Sequence, residues 1–383
     1  MADRLDIVVF GATGFTGGLL ATYLSHAAPL AVRLGIAGRN RAKLEEARAR
    51  TGGRAEIIEA SVDDPASLAR MAARARVIAT TVGPYARYGE PVVRAAIENG
   101  AHCLDITGEP AYVADILTKH HQRAKDAALK IVSCCGFDSI PHDLGVLYTV
   151  KQLDDTRPIT IEGIVQAKGG MSGGTWHSAV NAFADVRASR AANDALVYRD
   201  ERGERPDRIG ATKLRVRREP RVKGWIAPMP TIDPAIVLRS AGIIGYGPRF
   251  RYGHYLRAGS VLDLAALGVG VGGVVALSQL GPTRELLLKW KSPGEGQDEE
   301  ARAKNFFRVT FLAEQEGRHL TTRVSGGDPG YTETAKMLGE AALSIVLDGD
   351  RLPNRFGVLT PAAAFGMPLV GRLDAAGLRF ETL

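Results

Sequence analysis

The sequence predicts an α/β fold: a doubly wound parallel sheet over residues 1–150, followed by a second domain of strands and helices. Three observations predict it. Short β-branched runs alternate with helix-period stretches as far as Ser133. The first run leads through a glycine-rich turn straight into a helical pattern. Beyond Val150 the rhythm changes, and longer period-two runs appear at Ile159 to Ala167, Phe306 to Glu314 and His319 to Ser325.

The first strand is Asp6 to Phe10, a short run of the kind buried in parallel sheets. Gly11-Ala12-Thr13-Gly14-Phe15-Thr16-Gly17 follows, and then Leu19, Leu20, Tyr23 and Leu24 recur at helical spacing. Strand, glycine-rich turn and helix form the context of a dinucleotide fingerprint. Gly11 permits the tight turn, Gly14 leaves bare backbone for a diphosphate, and Gly17 lets helix and strand approach closely. The helix N-terminus adds unpaired N–H groups and a partial positive charge. The spacing is GxxGxxG rather than GxGxxG, so the turn alone is an incomplete signature. The second strand, Leu34 to Ala37, ends in Gly38-Arg39-Asn40, and the next helix carries Lys43. An NAD site places an acid near this point to bond the ribose 2′-OH. Arg39 instead suits a 2′-phosphate held by charge-assisted hydrogen bonds. The expected cofactor is therefore NADPH/NADP, with Arg39, Asn40 and Lys43 around its 2′-phosphate.

Glu56 to Ile58 reads as the third strand, ending near Ser61 and Val62, where the adenine would lie. A helix follows from about Pro65. Val77 to Thr81 is the fourth strand, and it runs into Thr81, Val82, Gly83, Pro84 and Tyr85. A helix bearing Val92, Val93, Ala96 and Ile97 leads to the fifth strand, His102 to Asp105. Another long helix leads to Lys130 to Ser133. Ligands of such sheets sit beyond the strand C-termini. Thr81 to Tyr85, Asp105 to Glu109 and Cys134 to Asp138, with Gly136 and Phe137, should line one crevice. Asp138 or Ser139 also reads as a cap for the helix entered at Pro141.

Composition narrows the function classes. The chain has 383 residues, 45% of them hydrophobic, enough for two domains with buried cores. Forty-nine basic against 42 acidic residues give a net charge of +7, which suits an anionic ligand and is too small to point to nucleic acid. Cys103, Cys134 and Cys135 form no CxxC pair. Sparse, odd cysteines fit a reducing compartment, so the expected location is the cytoplasm. The histidines show no metal-ligand spacing, and no metal is expected.

In the second half, "KQLDDTRP" after Val150 marks a boundary. "KGGMSGGTWHSA" gives a glycine-rich loop in which Ser172 or Thr175 would cap a helix running to about Ala192. Residues 199–223, rich in arginine, read as a mobile surface excursion that could dock an acidic carrier protein. Leu264 to Leu277 is apolar over about 14 residues, short of the roughly 20 a spanning helix needs. Its glycines weaken it as a helix. It reads as a buried or interface segment, or as a patch that touches lipid. Thr332 to Leu347 reads as a helix.

"GATGFTG", "AGRNRAKL", "VGPYARYGEPVVRAAIENGAHCLDITGE" and "CCGFDSIPHDLG", with "GGMSGGTWHSA", "GPTRELLLKWKSPGEG", "GDPGYTETAKMLGEAAL" and "GVLTPAAAFG", resemble the saccharopine dehydrogenase-like oxidoreductases. Within that group the chain is most similar to the trans-acting enoyl reductases, nearly throughout its length. The resemblance implies an NADP-binding Rossmann-like domain at 1–150, a second α+β domain with an antiparallel sheet at 151–330, and a C-terminal segment, 331–383, returning to the first. It implies reduction of a carbon–carbon double bond in an acyl or polyketide substrate on an acyl carrier protein. A dehydrogenase of a C–N or carbonyl bond, and a lipid-associated nucleotide-binding protein without turnover, stand as alternatives. Reduction needs a donor for the developing enolate oxygen and an acid for the proton. Tyr85, Asp105 and His177 are the candidates. Asp105 and Glu109 equally suit loop orientation, and His177 equally suits a helix surface.

Overall fold

A computed structural model of the chain describes residues 4–169, 176, 180, 183–184, 186–198, 206–290 and 296–383. The first half comprises β1 (Leu5–Phe10), α1 (Phe15–Ala27), β2 (Leu34–Gly38), α2 (Arg41–Arg50), β3 (Glu56–Glu59), α3 (Pro65–Ala73), β4 (Ala75–Thr80), α4 (Tyr85–Glu98), β5 (His102–Asp105), α5 (Pro110–Asp126), β6 (Lys130–Val132) and α6 (Ile140–Val150). The middle contributes β7 (Ile159–Lys168), α7 (Val186–Leu196), β8 (Ile209–Ala211), β9 (Arg217–Glu219), β10 (Gly224–Pro228), α8 (Asp233–Ile244), β11 (Phe250–Ala258), α9 (Val261–Ser278), α10 (Gly281–Lys289) and α11 (Glu299–Ala303). The remainder is β12 (Phe306–Gln315), β13 (Arg318–Gly326), α12 (Thr332–Leu347), β14 (Gly357–Leu359), α13 (Pro361–Ala375) and β15 (Arg379–Thr382).

The first sheet has the order β14-β6-β5-β4-β1-β2-β3, and every pairing in it is parallel. Strand order reverses between β1 and β4, the place where doubly wound sheets bind ligands. β1 is buried on both faces, as its run of Ile7, Val8, Val9 and Phe10 requires. Local signals start the helices. Asp64 accepts from the N–H groups of Ala66 and Ser67 ahead of Pro65, and Asn40 accepts from Lys43 N–H at the head of α2. At α6 the N-cap position is Ser139, but neither its hydroxyl nor Asp138 makes a capping bond. The helix is held instead by burial of ten of its 11 residues.

The second sheet is mixed, where an antiparallel one was expected. β12 pairs antiparallel with both β7 and β13, and β13 with β15. β11, however, runs parallel to β7 and β8, and β10 and β9 close that edge antiparallel. The β12–β13 hairpin turns at Glu316 and Gly317, both at positive φ (48° and 82°), as a tight two-residue turn demands.

Two expectations are corrected here. The described part of the arginine-rich stretch, 206–223, is not a loose excursion: it supplies β8 and β9. Arg217 Nη2 meets Glu162 at 2.5 Å and Glu219 at 3.3 Å, and Arg221 Nε meets Glu219 at 2.9 Å. These pairs let arginines occupy an edge strand that apolar periodicity does not reveal. The apolar stretch 264–277 is not a buried segment. It lies inside α9, an 18-residue helix opened by a Ser260–Asp263 capping box, in which Ser278 alone is buried.

The chain ties its two sheets together through α6 and the C-terminal elements. A Cβ on Gly145 of α6 would fall 2.3 Å from the Phe311 ring of β12, so only glycine permits this approach. Thr149 Oγ1 of α6 lies 2.6 Å from Thr322 Oγ1 of β13. The last segment joins both sheets, with β14 beside β6 and β15 beside β13. Lys130 Nζ donates to Pro353 O and Arg355 O at 2.8 and 2.7 Å, fixing β14's approach.

Candidate functional site

At the reversal point, β1 delivers the chain into a turn with almost no side-chain volume. Gly11 sits at φ +96°, and a Cβ on it would lie 2.8 Å from Thr81 Oγ1 and 2.9 Å from Val82 Cγ2. A Cβ on Gly17 would lie 2.1 Å from Gly11 O, so α1 is drawn against the strand end. Thr81 N donates to Phe10 O at 2.9 Å, which brings the β4 loop alongside. Gly14 is exposed, and a Cβ there would meet Gly11 O at 3.3 Å and nothing else within 4 Å. Helix α1 has no side-chain cap and no acid in its first turn. Its first N–H groups, around Phe15 and Thr16, thus have no side-chain cap at the N-cap position. This cradle fits a diphosphate.

The Phe15 side chain takes a part the sequence did not suggest. Its ring meets Tyr331 edge-on at 4.9 Å, with the Arg302 guanidinium 5.6 Å away. Residues leading into α12 therefore close over the head of α1, and Arg302 brings positive charge to the mouth of the turn. Arg39 follows β2 directly and is exposed, as is Lys43 in the first turn of α2. Asn40, besides lying between them, spends its carbonyl oxygen on capping Lys43 N. Ser61 and Val62 follow β3 half-buried, and Val62 packs toward the core on that face.

Three further strand ends carry the crevice wall. Thr81, Val82, Gly83 and Pro84 follow β4, the residues from Ile106 to Glu109 follow β5, and Gly136, Phe137 and Asp138 follow β6. Tyr85 is buried and does not point its phenol at the open crevice: Oη donates to Thr80 O at 3.1 Å. Glu109 accepts from the N–H groups of Tyr85 and Ala86 at 3.1 and 2.9 Å, neutralising the head of α4. Asp105 is buried and accepts from Thr107 N at 2.9 Å, Ser133 Oγ at 2.8 Å and Tyr112 Oη at 3.2 Å. Burial outweighs these bonds and pushes its carboxyl up to about 6. Asp105 thus pins the β5 and β6 loops to each other. His177 lies outside the described residues, as do Ser172 and Thr175.

Asp138, like Glu109, is a half-buried carboxyl of this wall. A Cβ on Gly108 would sit 3.1 Å from its Oδ2, so the β5 loop grazes it. Burial, followed by the charge of Asp233, pushes Asp138 up to about 7. Phe137 N donates to Thr334 Oγ1 at 3.1 Å, and the Phe137 ring meets Phe307 at 5.1 Å, so the second sheet forms the opposite wall. The three cysteines are buried, and burial raises each thiol, which leaves them inert fillers rather than nucleophiles.

Behind Asp138 lies a group that local spacing could not reveal. His142 of α6, Asp233 of α8 and His254 of β11 are all buried, with ligand atoms within 4.8 Å of one another. His142 Nδ1 is 3.2 Å from Asp233 Oδ1, and His254 Nε2 is 3.7 Å from Oδ2. Thr231 Oγ1 donates to Asp233 at 2.5 Å, and His254 Nδ1 lies 3.0 Å from Tyr252 Oη. Burial lowers both imidazoles, His254 to about 3, against the pull of Asp233. Both rings are held neutral and the charge stays on Asp233, while Asp233 Oδ1, both ring nitrogens of His142 and His254 Nε2 are buried without a hydrogen-bond partner. Asp143, next to His142, accepts from Ala362 N at 2.8 Å; burial raises its carboxyl to about 7.

Comparison with known proteins covers the whole chain. The saccharopine dehydrogenase NADP binding domain matches residues 7–132, which span the cradle and the strand ends of β1 to β6. A Mycobacterium tuberculosis (strain ATCC 25618 / H37Rv) protein, provisionally named a trans-acting enoyl reductase, is 37% identical over 412 residues, covering 99% of this chain and 97% of the relative. The trans-acting enoyl reductase of Mycobacterium ulcerans (strain Agy99) is 35% identical over 409 residues, covering 98% and 97%. Apo saccharopine dehydrogenase (L-Glu forming) from Saccharomyces cerevisiae superposes with a TM-score of 0.56 over 98% of this chain and 99% of that one, at 14% identity, a likeness of fold.

Asp143 yields a stability test. Its folded carboxyl titrates near 7, whereas an unfolded aspartate titrates at about 3.9. The stability linked to this proton is complete below about pH 4 and is lost as pH rises through about 7. The melting temperature of Asp143→Asn should therefore rise relative to the parent chain between pH 4 and pH 7. A difference that stays constant across calorimetric scans in that range would contradict the assignment.

Proposed function

The chain belongs to the saccharopine dehydrogenase-like oxidoreductases, among the trans-acting enoyl reductases, and is an NADP-dependent oxidoreductase; from that premise we propose that it reduces the carbon–carbon double bond of a carrier-bound acyl or polyketide chain. The observation that carries this reading is the match to named enoyl reductases over nearly the full length of both chains, at 35–37% identity.

The balance of the reaction sets what the protein must supply. An enoyl thioester takes up one hydride at its β-carbon and one proton at its α-carbon, and the cofactor leaves oxidised. NADPH, when bound, supplies the hydride. The chain supplies position and the proton. Gly11, Thr13, Gly14, Phe15, Thr16 and Gly17 offer backbone to the diphosphate, and Arg39 with Lys43 meets the 2′-phosphate. Ser61 and Val62 flank the adenine, while Thr81, Val82, Gly83 and Pro84 border the dinucleotide along β4. Glu109 and Asp105, by holding the α4 head and the β5 and β6 loops, keep that border in place. Gly136 lets the β6 turn approach Ile106 and Thr334: a Cβ there would lie 3.0 Å from Thr334 Cγ2. Phe137 gives the acyl chain an apolar wall.

Asp138 delivers the proton. A carboxyl held near 7 is half protonated at neutral pH and suited to general acid catalysis. It is half-buried and follows the C-terminal end of β6, where the crevice wall lies. His177 is the rival donor.

Two experiments follow. Arg39→Ala should weaken NADPH by about 1.5–3 kcal/mol, the loss of a charged hydrogen bond, and leave NADH unchanged; equal losses for both in a titration would remove the 2′-phosphate role. Asp138→Asn should lower kcat with an enoyl thioester by about 10²–10⁴-fold while NADPH still binds. In the parent chain the acid form is needed, so kcat should fall as pH rises through about 7; the variant should lack that limb. If His177→Ala abolishes turnover and Asp138→Asn does not, the donor is His177.

A further inference from the structure

We propose that the α9–α10 hairpin seats the protein on the surface of an anionic lipid bilayer. Helix α9 is 18 residues long, about 27 Å at 1.5 Å per residue. Its single charged side chain, Asp263, is spent on the capping box: Asp263 Oδ2 accepts from Ser260 N at 2.8 Å, and Asp263 N donates to Ser260 Oγ at 3.1 Å. Everything after it is Leu, Ala, Val or Gly as far as Ser278. Among the described residues it is the one helix long and apolar enough to cross a membrane by length and composition.

That helix is not packed into the protein. Leu262 is 80% exposed and Val269 78%, and Val261, Leu267, Val271 and Leu277 are exposed as well. They do not form one stripe. A groove on a protein partner, or a second copy of this chain, covers one face of a helix. A helix apolar on every side finds a matching environment in hydrocarbon, which surrounds it. A Cβ on Gly268, Gly270, Gly272 or Gly273 would meet nothing within 4 Å, so these glycines are not there for close packing within the chain.

The connections decide how the hairpin can enter lipid. Residue 261 follows β11 by two residues, and the chain returns to β12, which lies in the same sheet. The return helix α10 has nine residues, about 13 Å, too short to cross back. Both ends of the hairpin therefore stay on one side, and α9 dips into the near leaflet without spanning. The far end has the side chains of a membrane interface: Trp290 is 77% exposed and Leu286 70%, with two basic residues, Arg284 and Lys289, and one acid, Glu285, exposed beside them. Tryptophan settles at the headgroup level, and basic side chains favour anionic lipid. The hairpin is braced from the protein side, since Trp176 Nε1 donates to Leu287 O at 2.6 Å and the Trp176 and Trp290 rings meet at 5.1 Å. β11, which leads into α9, also carries His254 of the buried group behind Asp138, so docking would hold the crevice close to lipid.

The test uses the full chain with phosphatidylcholine vesicles containing about a quarter phosphatidylglycerol. The parent should float with the vesicles, and Val269→Asp/Val271→Asp should reduce that partition by about tenfold or more, the cost of carboxylates in hydrocarbon. Both positions are exposed, so circular dichroism and NADPH binding should match the parent; if they do not, Leu262→Lys replaces the double variant. Equal flotation of parent and folded variant overturns the proposal. So does a parent that stays with the protein fraction as a dimer which the variant dissociates, as light scattering would report, because the occupant of α9 would then be a second copy.

Discussion

The approach of Gly17 to the carbonyl of Gly11 is the constraint from which the rest of this structure follows. With 2.1 Å between that oxygen and the place a Cβ would occupy, no other residue lets α1 start so near the end of β1. The closeness leaves the first N–H groups of α1 uncapped at the reversal of strand order, where the β4 loop stands alongside through Thr81. Uncapped donors, a helix dipole and missing side chains together make an anion site. Arg39 and Arg302 then add positive charge from two directions, one at the end of β2 and the other from α11.

Around that turn the chain spends its buried carboxylates on holding loops. Asp105 gathers donors from two strand ends, and Glu109 quiets the head of α4. Asp233 anchors α8 against α6 and β11 through two neutral histidines. Each would be costly alone in a dry interior; Asp105 and Glu109 are met by several donors, and Asp233 by the hydroxyl of Thr231. Asp138 is half-buried, with its proton kept by burial and by the negative charge of Asp233.

The first sheet was legible because its signals are local. Glycine spacing, β-branched runs and caps such as Asp64 and Asn40 act within a few residues. The strand ends were legible for the same reason, since they follow from strands. Other features depend on distant partners. His142, Asp233 and His254 come from three elements far apart in the chain, so no spacing announces them. β8 and β9 are three residues each, and Arg217 of β9 is explained by Glu162, a partner far away in the chain. β14 and β15 are three and four residues long, too short to show a period. The apolar content of α9 was plain, but composition does not tell a buried helix from an exposed one. Tyr85 illustrates the same limit at one residue: its place at a strand end was readable, and the inward turn of its hydroxyl toward Thr80 was not.

The central claim is that the diphosphate of NADP(H) rests on the bare backbone at Gly14. Isothermal titration calorimetry of the purified chain and of Gly14→Val with NADPH tests it most directly, because Gly14 is exposed at an ordinary φ of −80° and a Cβ there would meet Gly11 O, at 3.3 Å, and nothing else within 4 Å. The account predicts a binding heat for the chain and none for the variant, with both melting at the same temperature. Equal affinity of the two for NADPH would contradict it.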